Sequence, residues 1–102
     1  MEIKILDIFG KFAEDKDLAK EIRINQITFA VKNKEDIIIN FGGVEATTQS
    51  FIHSLISQVI RDNGEKVLDK IYFKSCNSSI KKIIGIVVEY MQTGTGTIYP
   101  KE

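Results

Sequence analysis

The segment that most restricts the fold is residues 37–41, three isoleucines followed by an asparagine and a phenylalanine. A short, continuous run of β-branched residues is typical of a strand that is buried on both faces of a parallel sheet. Gly42 and Gly43 then end the strand, because consecutive glycines favour a turn. The run therefore predicts the central strand of an α/β domain.

The clearest helix of the sequence follows this double glycine. The apolar residues that recur there at the spacing of one helix face are Phe51, Ile52, Leu55, Ile56, Val59 and Ile60. Thr47 or Thr48 supplies the N-cap, and residues 62–64, Asp-Asn-Gly, end the helix.

The segment before the central strand predicts an earlier helix, with an N-cap at Asp15 and its last turn near Lys32. The core face predicted for it is made of Leu18, Ile22 and Phe29, with Ala19, Gln26 and Ala30 beside them. The apolar residues left off that face are Ile24, Ile27 and Val31. The apolar alternation over residues 27–31 also fits a hairpin strand, but the length of the segment and its lack of glycine and proline favour a helix.

The remaining elements are shorter or lie near the ends. Residues 2–9 alternate like a half-buried strand that Gly10 ends, and residues 71–73 predict a third strand after a helical turn at residues 66–69. Asn77 or Ser78 caps a last helix. The core stripe of that helix is Ile80, Ile83, Ile84, Val87 and Met91.

Strand and helix alternate three times, which predicts a small β-α-β-α-β-α domain with a largely parallel sheet and right-handed crossovers. We assign residues 1–92 to this single domain. Residues 93–102, which are rich in glycine and threonine, predict a flexible C-terminal tail.

Charge and composition exclude several classes of function. Lys and Arg total 14, and Asp and Glu also total 14, so the formal net charge is zero. A nucleic-acid binder or a peripheral membrane protein would show a basic excess, so neither partner is predicted. No apolar run approaches the length of a membrane span.

Cys76 is the single cysteine, so neither an intrachain disulfide nor a cysteine metal cluster is predicted. Secreted domains of this size are more often rich in disulfides, and the first residues lack the charged-then-apolar order of a signal peptide. A cytoplasmic location is therefore expected, and no cofactor or metal site is predicted.

The segment from residue 40 to residue 55 resembles the STAS-like domain family of unknown function, which is related to the STAS domains of anti-sigma-factor antagonists. The resemblance is carried by Asn-Phe-Gly-Gly-Val at residues 40–44 and by Thr-Gln-Ser-Phe at residues 48–51, which open a helix. The pattern extends over residues 1–92 and includes residues 71–77 before the last helix.

The resemblance implies regulation by partner switching in a bacterial or phage cytoplasm. In related STAS proteins a serine at the start of the second helix is phosphorylated by a kinase-like ATPase that is also the binding partner. That serine aligns best with Gln49, so the candidate acceptors here are its neighbours Ser50 and Thr48. The docking surface implied consists of Gly43, Val44, Thr47, Thr48, Gln49, Ser50 and His53.

Other candidate sites have simpler structural interpretations. His53, the only histidine, is predicted on the polar helix face with Ser50, Ser54, Ser57 and Arg61. A nucleophilic Cys76–His53 pair lacks a visible activating group. Phosphate cradles at residues 42–48 or 94–97 lack the P-loop spacing, so a turn and a tail are favoured. The lysines 70, 74, 81 and 82 are interpreted as a solvated face.

Surplus apolar residues on two helices favour association with another chain. On the last helix Ile86 and Tyr90 lie off the core stripe, and we regard them as candidate contacts of a homo-oligomer.

The leading hypothesis is a non-enzymatic regulatory protein-binding module, with partner switching through a kinase-like ATPase. The alternative is a small inhibitor or immunity-type protein that binds a toxin or effector through the same scaffold. A third hypothesis is a cysteine-dependent or phosphate-handling enzyme.

Overall fold

The computed structural model describes residues 1–93. In chain order the elements are β1 (Glu2–Lys4), α1 (Ile5–Phe9), β2 (Phe12–Ala13), α2 (residues 16–32), β3 (Ile37–Asn40), β4 (Ala46–Thr47), α3 (residues 49–63), a 3₁₀ helix (Glu65–Lys70), β5 (Ile71–Lys74) and α4 (Ser78–Thr93). The predicted alternation of strand and helix is confirmed, and the chain is a mixed α/β structure with parallel strands.

The main sheet of the described residues has the order β1-β3-β5, with both pairs parallel. Ile39 at its centre lies opposite Ile3 on one side and Phe73 on the other. β2 and β4 form a separate two-residue parallel pair, in which Ala13 lies opposite Thr47.

The two faces of the main sheet differ. The inner face packs on the core and contributes the buried side chains Ile3, Ile37, Ile39 and Ile71. The outer face carries Glu2, Lys4, Ile38, Asn40, Tyr72 and Lys74, all of which are half-buried or exposed. The prediction of a central strand buried on both faces is therefore wrong for β3, because no element of the described chain covers the outer side of Ile38.

A π-helical turn in the middle of α2 changes which residues reach the core. Arg23–Ile27 forms this turn between α-helical Lys16–Ile22 and Thr28–Lys32. A π-helical turn contains an extra residue, so the helix after it is rotated relative to a regular α-helix. Ile27 is consequently fully buried, whereas Phe29 is 59% exposed, which reverses their predicted positions. The predicted helix is confirmed for residues 27–31, and the alternative of a hairpin strand there is wrong.

A second π-helical turn, His53–Ser57, interrupts α3 between Gln49–Ile52 and Gln58–Asn63. The predicted apolar stripe of this helix is confirmed, because all six of its residues are buried. Ser57, which was predicted on the polar face, is instead buried. Its hydroxyl donates to the His53 carbonyl oxygen at 2.6 Å, and this bond satisfies the hydroxyl inside the helix interface.

The first strand is shorter than predicted. β1 ends at Lys4, opposite Asn40, which is also the last residue of β3. The chain has no strand to pair with beyond that point, and it turns into α1 and places Ile5 in the core. Gly10 ends α1 with a φ of +81°, a conformation that glycine adopts without strain.

The predicted caps are confirmed in three helices. The Asp15 carboxylate accepts from the amide groups of Asp17 and Leu18 at the start of α2. Thr48 caps α3, and Asn77 caps α4 by accepting from the Ile80 amide at 2.8 Å. The 3₁₀ helix before β5 confirms the helical turn predicted there.

The last helix, α4, buries Ile80, Ile84 and Val87 of its predicted stripe. Ile86 and Tyr90, the candidate oligomer contacts, are half-buried within the chain. α4 continues to Thr93, and the rest of the predicted flexible tail, residues 94–102, lies outside the described residues together with the glycine-threonine cradle.

Candidate functional site

The start of α3 is an exposed part of the segment from residue 40 to residue 55 that the sequence analysis singled out. Thr48 adopts an extended backbone conformation, and its hydroxyl oxygen accepts from the Phe51 amide at 3.1 Å. Gln49 and Ser50 follow as the first two residues of the helix and are exposed. The Thr48 hydroxyl thus caps the helix, whereas the Ser50 side chain faces solvent.

An open depression of about 530 Å³ lies beside this helix start, lined by Lys16, Gln49, Ser50, His53 and Ser54. Three of the predicted docking residues therefore share one surface. Lys16 was missed, because it belongs to the first turn of α2 and no sequence signal shows which helix ends meet. Its ammonium group gives the depression a cationic wall.

His53 is half-buried in this depression and does not stand free on an exposed face. Burial lowers the pKa of His53 below the usual 6.5, and the nearby Arg61 guanidinium lowers it further. The Ser57 hydroxyl lies 3.3 Å from Nδ1 of the ring. The neutral imidazole is therefore the favoured form at neutral pH.

Arg23 connects the two π-helical turns. Its guanidinium group donates to the Ser54 carbonyl oxygen at 3.1 Å. This bond joins the π-helical turn of α2 to that of α3, so it fixes the relative position of the helices that carry Lys16 and Ser50. The sequence offered no reason to single out Arg23.

Three other predicted docking residues lie apart from the depression. Val44 and Thr47 are buried, with 5% and 8% of their surface exposed, and the Thr47 hydroxyl donates to the Ala13 carbonyl oxygen at 2.7 Å. Gly43 is exposed but packs on α1, since a Cβ built on it would lie 2.7 Å from Leu6 Cδ2. These residues support the loop before α3 and do not line the depression.

The double glycine is a turn whose amide groups are already used. The Gly42 amide donates to Asn40 Oδ1 at 2.8 Å, and the Val44 amide donates to the Phe41 carbonyl oxygen at 2.9 Å. Gly43 has a φ of +83°, which explains the need for glycine. The geometry therefore favours the turn over a phosphate cradle.

Cys76 and His53 line separate depressions that share no lining residue. Burial raises the pKa of the Cys76 thiol, an effect that the neighbouring Lys81 only partly offsets. A thiol with a raised pKa is a poor nucleophile at neutral pH. Among residues 1–93 there is also no cluster of three His, Cys, Asp or Glu side chains that could hold a metal ion.

Comparison with known families adds one decisive observation. The model of the STAS-like domain of unknown function (DUF4325) matches residues 18–81, which include α3, β3 and β5. The chain belongs to this family. No curated protein and no solved structure matches this STAS-like domain.

STAS-like domains are typically regulatory binding modules without catalytic activity. The matched residues contain Gln49, Ser50, His53 and Ser54, so most of the depression lies inside the family segment. Lys16 lies just before it. In the described part of the STAS-like domain no helix is long and apolar enough to cross a membrane.

Proposed function

We propose that this STAS-like domain is a non-enzymatic regulatory module that binds a kinase-like ATPase through the depression at the start of α3. The observation that carries the proposal is the position of Ser50, an exposed hydroxyl in the first turn of α3 beside Lys16. Phosphorylation of Ser50 by the partner releases the complex.

The physical argument concerns charge at a helix end. The first amide groups of a helix lack intrahelical acceptors, and the positive end of the helix dipole favours an anion. A phosphate on Ser50 adds about two negative charges to the surface at neutral pH. Lys16 then has a strong partner within the domain, which withdraws its ammonium group from the docking surface.

Ser50 is a better acceptor than Thr48 in this proposal. The Thr48 hydroxyl oxygen accepts the Phe51 amide, so modification of Thr48 would disturb the cap of α3. A glutamate at position 48 would therefore confuse loss of docking with loss of helix stability, at a cost of about 1 kcal/mol. The test consequently uses position 50.

The experiment is affinity purification of the tagged chain from its native host, with mass spectrometry of bound proteins and of phosphorylated residues. Ser50→Glu imitates the phosphorylated state and is expected to abolish recovery of a kinase-like ATPase. Ser79→Glu is the matched control, because Ser79 is an exposed serine at the same position relative to the Asn77 cap of α4. The control is expected to retain the partner.

A second measurement follows the modification itself. The recovered ATPase, supplied with ATP, is expected to phosphorylate Ser50 in the wild-type chain and to leave Ser50→Ala unmodified. Recovery of a toxin or nuclease in place of an ATPase would favour the inhibitor alternative and overturn the proposal. Equal recovery of the ATPase by the Ser50→Glu and Ser79→Glu variants would overturn the docking surface.

A further inference from the structure

The free edge of β5 shares no lining residue with the depression at α3. β5 pairs only with β3 among the described strands. The Phe41 amide donates to the Lys74 carbonyl oxygen at 2.8 Å, so the backbone of Lys74 faces β3. Successive residues of a strand point their backbone groups to opposite sides, so the N–H and C=O groups of Phe73 face the free edge.

Two depressions flank this edge, one on each side of the strand. The inner one, about 400 Å³, lies between β5 and α4 and is lined by apolar side chains that include Leu68, Ile84 and Val88. The outer one, about 680 Å³, lies over the open face of the sheet beside Ile38 and Tyr72. Both are also lined by Phe73, Cys76 and Lys81.

We propose that the free edge of β5 binds an extended, acidic peptide segment of another protein as an added strand. Side chains alternate along a strand, so one set would enter the groove against α4 and the other would lie beside Tyr72 on the open face of the sheet. The segment's backbone would pair with the free N–H and C=O groups of Phe73, as in other cases of strand addition.

Charge determines which strand fits. Lys74 lines the outer depression and Lys81 lines both, and neither has an ion pair within residues 1–93. Asp36, the carboxylate on the rim of the outer depression, already pairs with Lys70 at 3.6 Å. Two copies of this edge would bring like charges together, which disfavours self-pairing. An acidic segment from a different chain would complement the two free lysines.

Gly85 supports the interpretation of the inner depression as a groove that is kept open. It lies in the interior of the sixteen-residue α4 and lines the groove, and a Cβ built on it meets no atom within 4 Å. Alanine would fit there and would favour the helix, so the glycine lowers helix stability at a position that lines the groove. An occupant that packs against α4 accounts for this choice.

The test uses two displayed libraries of eight-residue peptides with Val, Ile or Leu at alternate positions. The other positions carry Asp, Glu and Thr in one library and Lys, Arg and Thr in its matched control. We expect the intact chain to enrich acidic peptides only. Synthetic peptides from the enriched set should shift the backbone amide resonances of Phe73 and Ser75 and slow alkylation of Cys76.

Variants of the chain localise the binding. Gly85→Leu adds a side chain beside the groove, at a position where a Cβ meets no atom within 4 Å, and should weaken peptide binding at least about tenfold while circular dichroism stays unchanged. Lys81→Glu should weaken it similarly, whereas Lys82→Glu, the exposed neighbour outside both depressions, should bind within about twofold of wild type. Ser50→Glu should bind normally, which separates this site from the one at α3.

Three results would overturn the proposal. The first is equal enrichment of the acidic and basic libraries. The second is undiminished binding of a peptide whose alternate amides are N-methylated, because such a peptide cannot form the ladder. The third is concentration-dependent dimerisation of the wild-type chain that Gly85→Leu removes, which would make a second copy the occupant.

Discussion

At the scale of single residues, Lys34 stands where the backbone favours glycine. It follows α2 with a φ of +57°, its amide donates to the Val31 carbonyl oxygen, and the Glu35 amide donates to that of Ala30. These bonds form a Schellman motif, whose left-handed residue is usually glycine because a Cβ is strained there.

Lys34→Gly is therefore expected to raise the free energy of unfolding by about 1 kcal/mol. Urea denaturation followed by circular dichroism measures the change. Lys34→Ala is the control, because it removes the same ammonium group from the helix end and keeps the Cβ. A gain of the same size in Lys34→Ala would mean that charge, and not backbone strain, is the cause.

His53 gives the stability of the chain a dependence on pH. Burial, with a further contribution from Arg61, holds its pKa in the folded chain below the usual 6.5, so the unfolded chain binds more protons near and below that pH. The stability from neutral His53 is complete above about pH 6.5 and is lost as the pH falls toward the lower folded pKa.

We expect the free energy of unfolding to fall as the pH is lowered below about 6.5, and to fall less in His53→Gln. Urea titrations of both chains at each pH give the difference, which removes the contribution of carboxylates common to both. The cations near the ring are Lys16 and Arg61. Parallel profiles for the two chains would refute the assignment.

At the scale of elements, the π-helical turn of α2 determines whether Ile27 or Phe29 contributes more to stability. A regular α-helix would give the opposite order. Ile27→Ala should destabilise the chain by about 2–5 kcal/mol, because Ile27 is fully buried and its truncation leaves a cavity. Phe29→Ala should change stability by less than about 1 kcal/mol, because Phe29 is largely exposed. Chemical denaturation of the two variants decides between the helix phases; a larger loss in Phe29→Ala would require a regular α-helix.

The same turn explains why the helices could be predicted from the sequence but the core face of α2 could not. Periodicity predicted α2, α3 and α4 and their caps at Asp15, Thr48 and Asn77, because spacing and capping residues are local signals. It assigned Phe29 to the core, because the pattern assumes 3.6 residues per turn throughout. The contact between the Arg23 guanidinium and the Ser54 carbonyl oxygen joins two π-helical turns across the interface, and no local pattern predicts it.

At the scale of the whole molecule, the family segment located the candidate site, but it did not define its composition. Gln49, Ser50 and His53 lie together as the sequence indicated, whereas Val44 and Thr47 are buried below the loop. Lys16 joins the site only because α2 and α3 pack with their starts side by side. Such long-range juxtapositions, like the groove between β5 and α4, depend on tertiary packing that a single sequence does not encode in any short motif.

The balance of charges leads to a prediction for the entire chain. With equal numbers of acidic and basic side chains and a pI near 6.6, electrostatic repulsion between copies is weakest near that pH. Ile24 and Phe29 are exposed on α2, and these apolar side chains favour contact between copies when the repulsion is weak. Solubility in polyethylene glycol should therefore be lowest near pH 6.6.

Lys20→Glu, an exposed substitution on α2, should move the minimum to lower pH, and the additional exchange Glu21→Lys should restore it. A minimum that stays in place in Lys20→Glu would show that net charge does not control association.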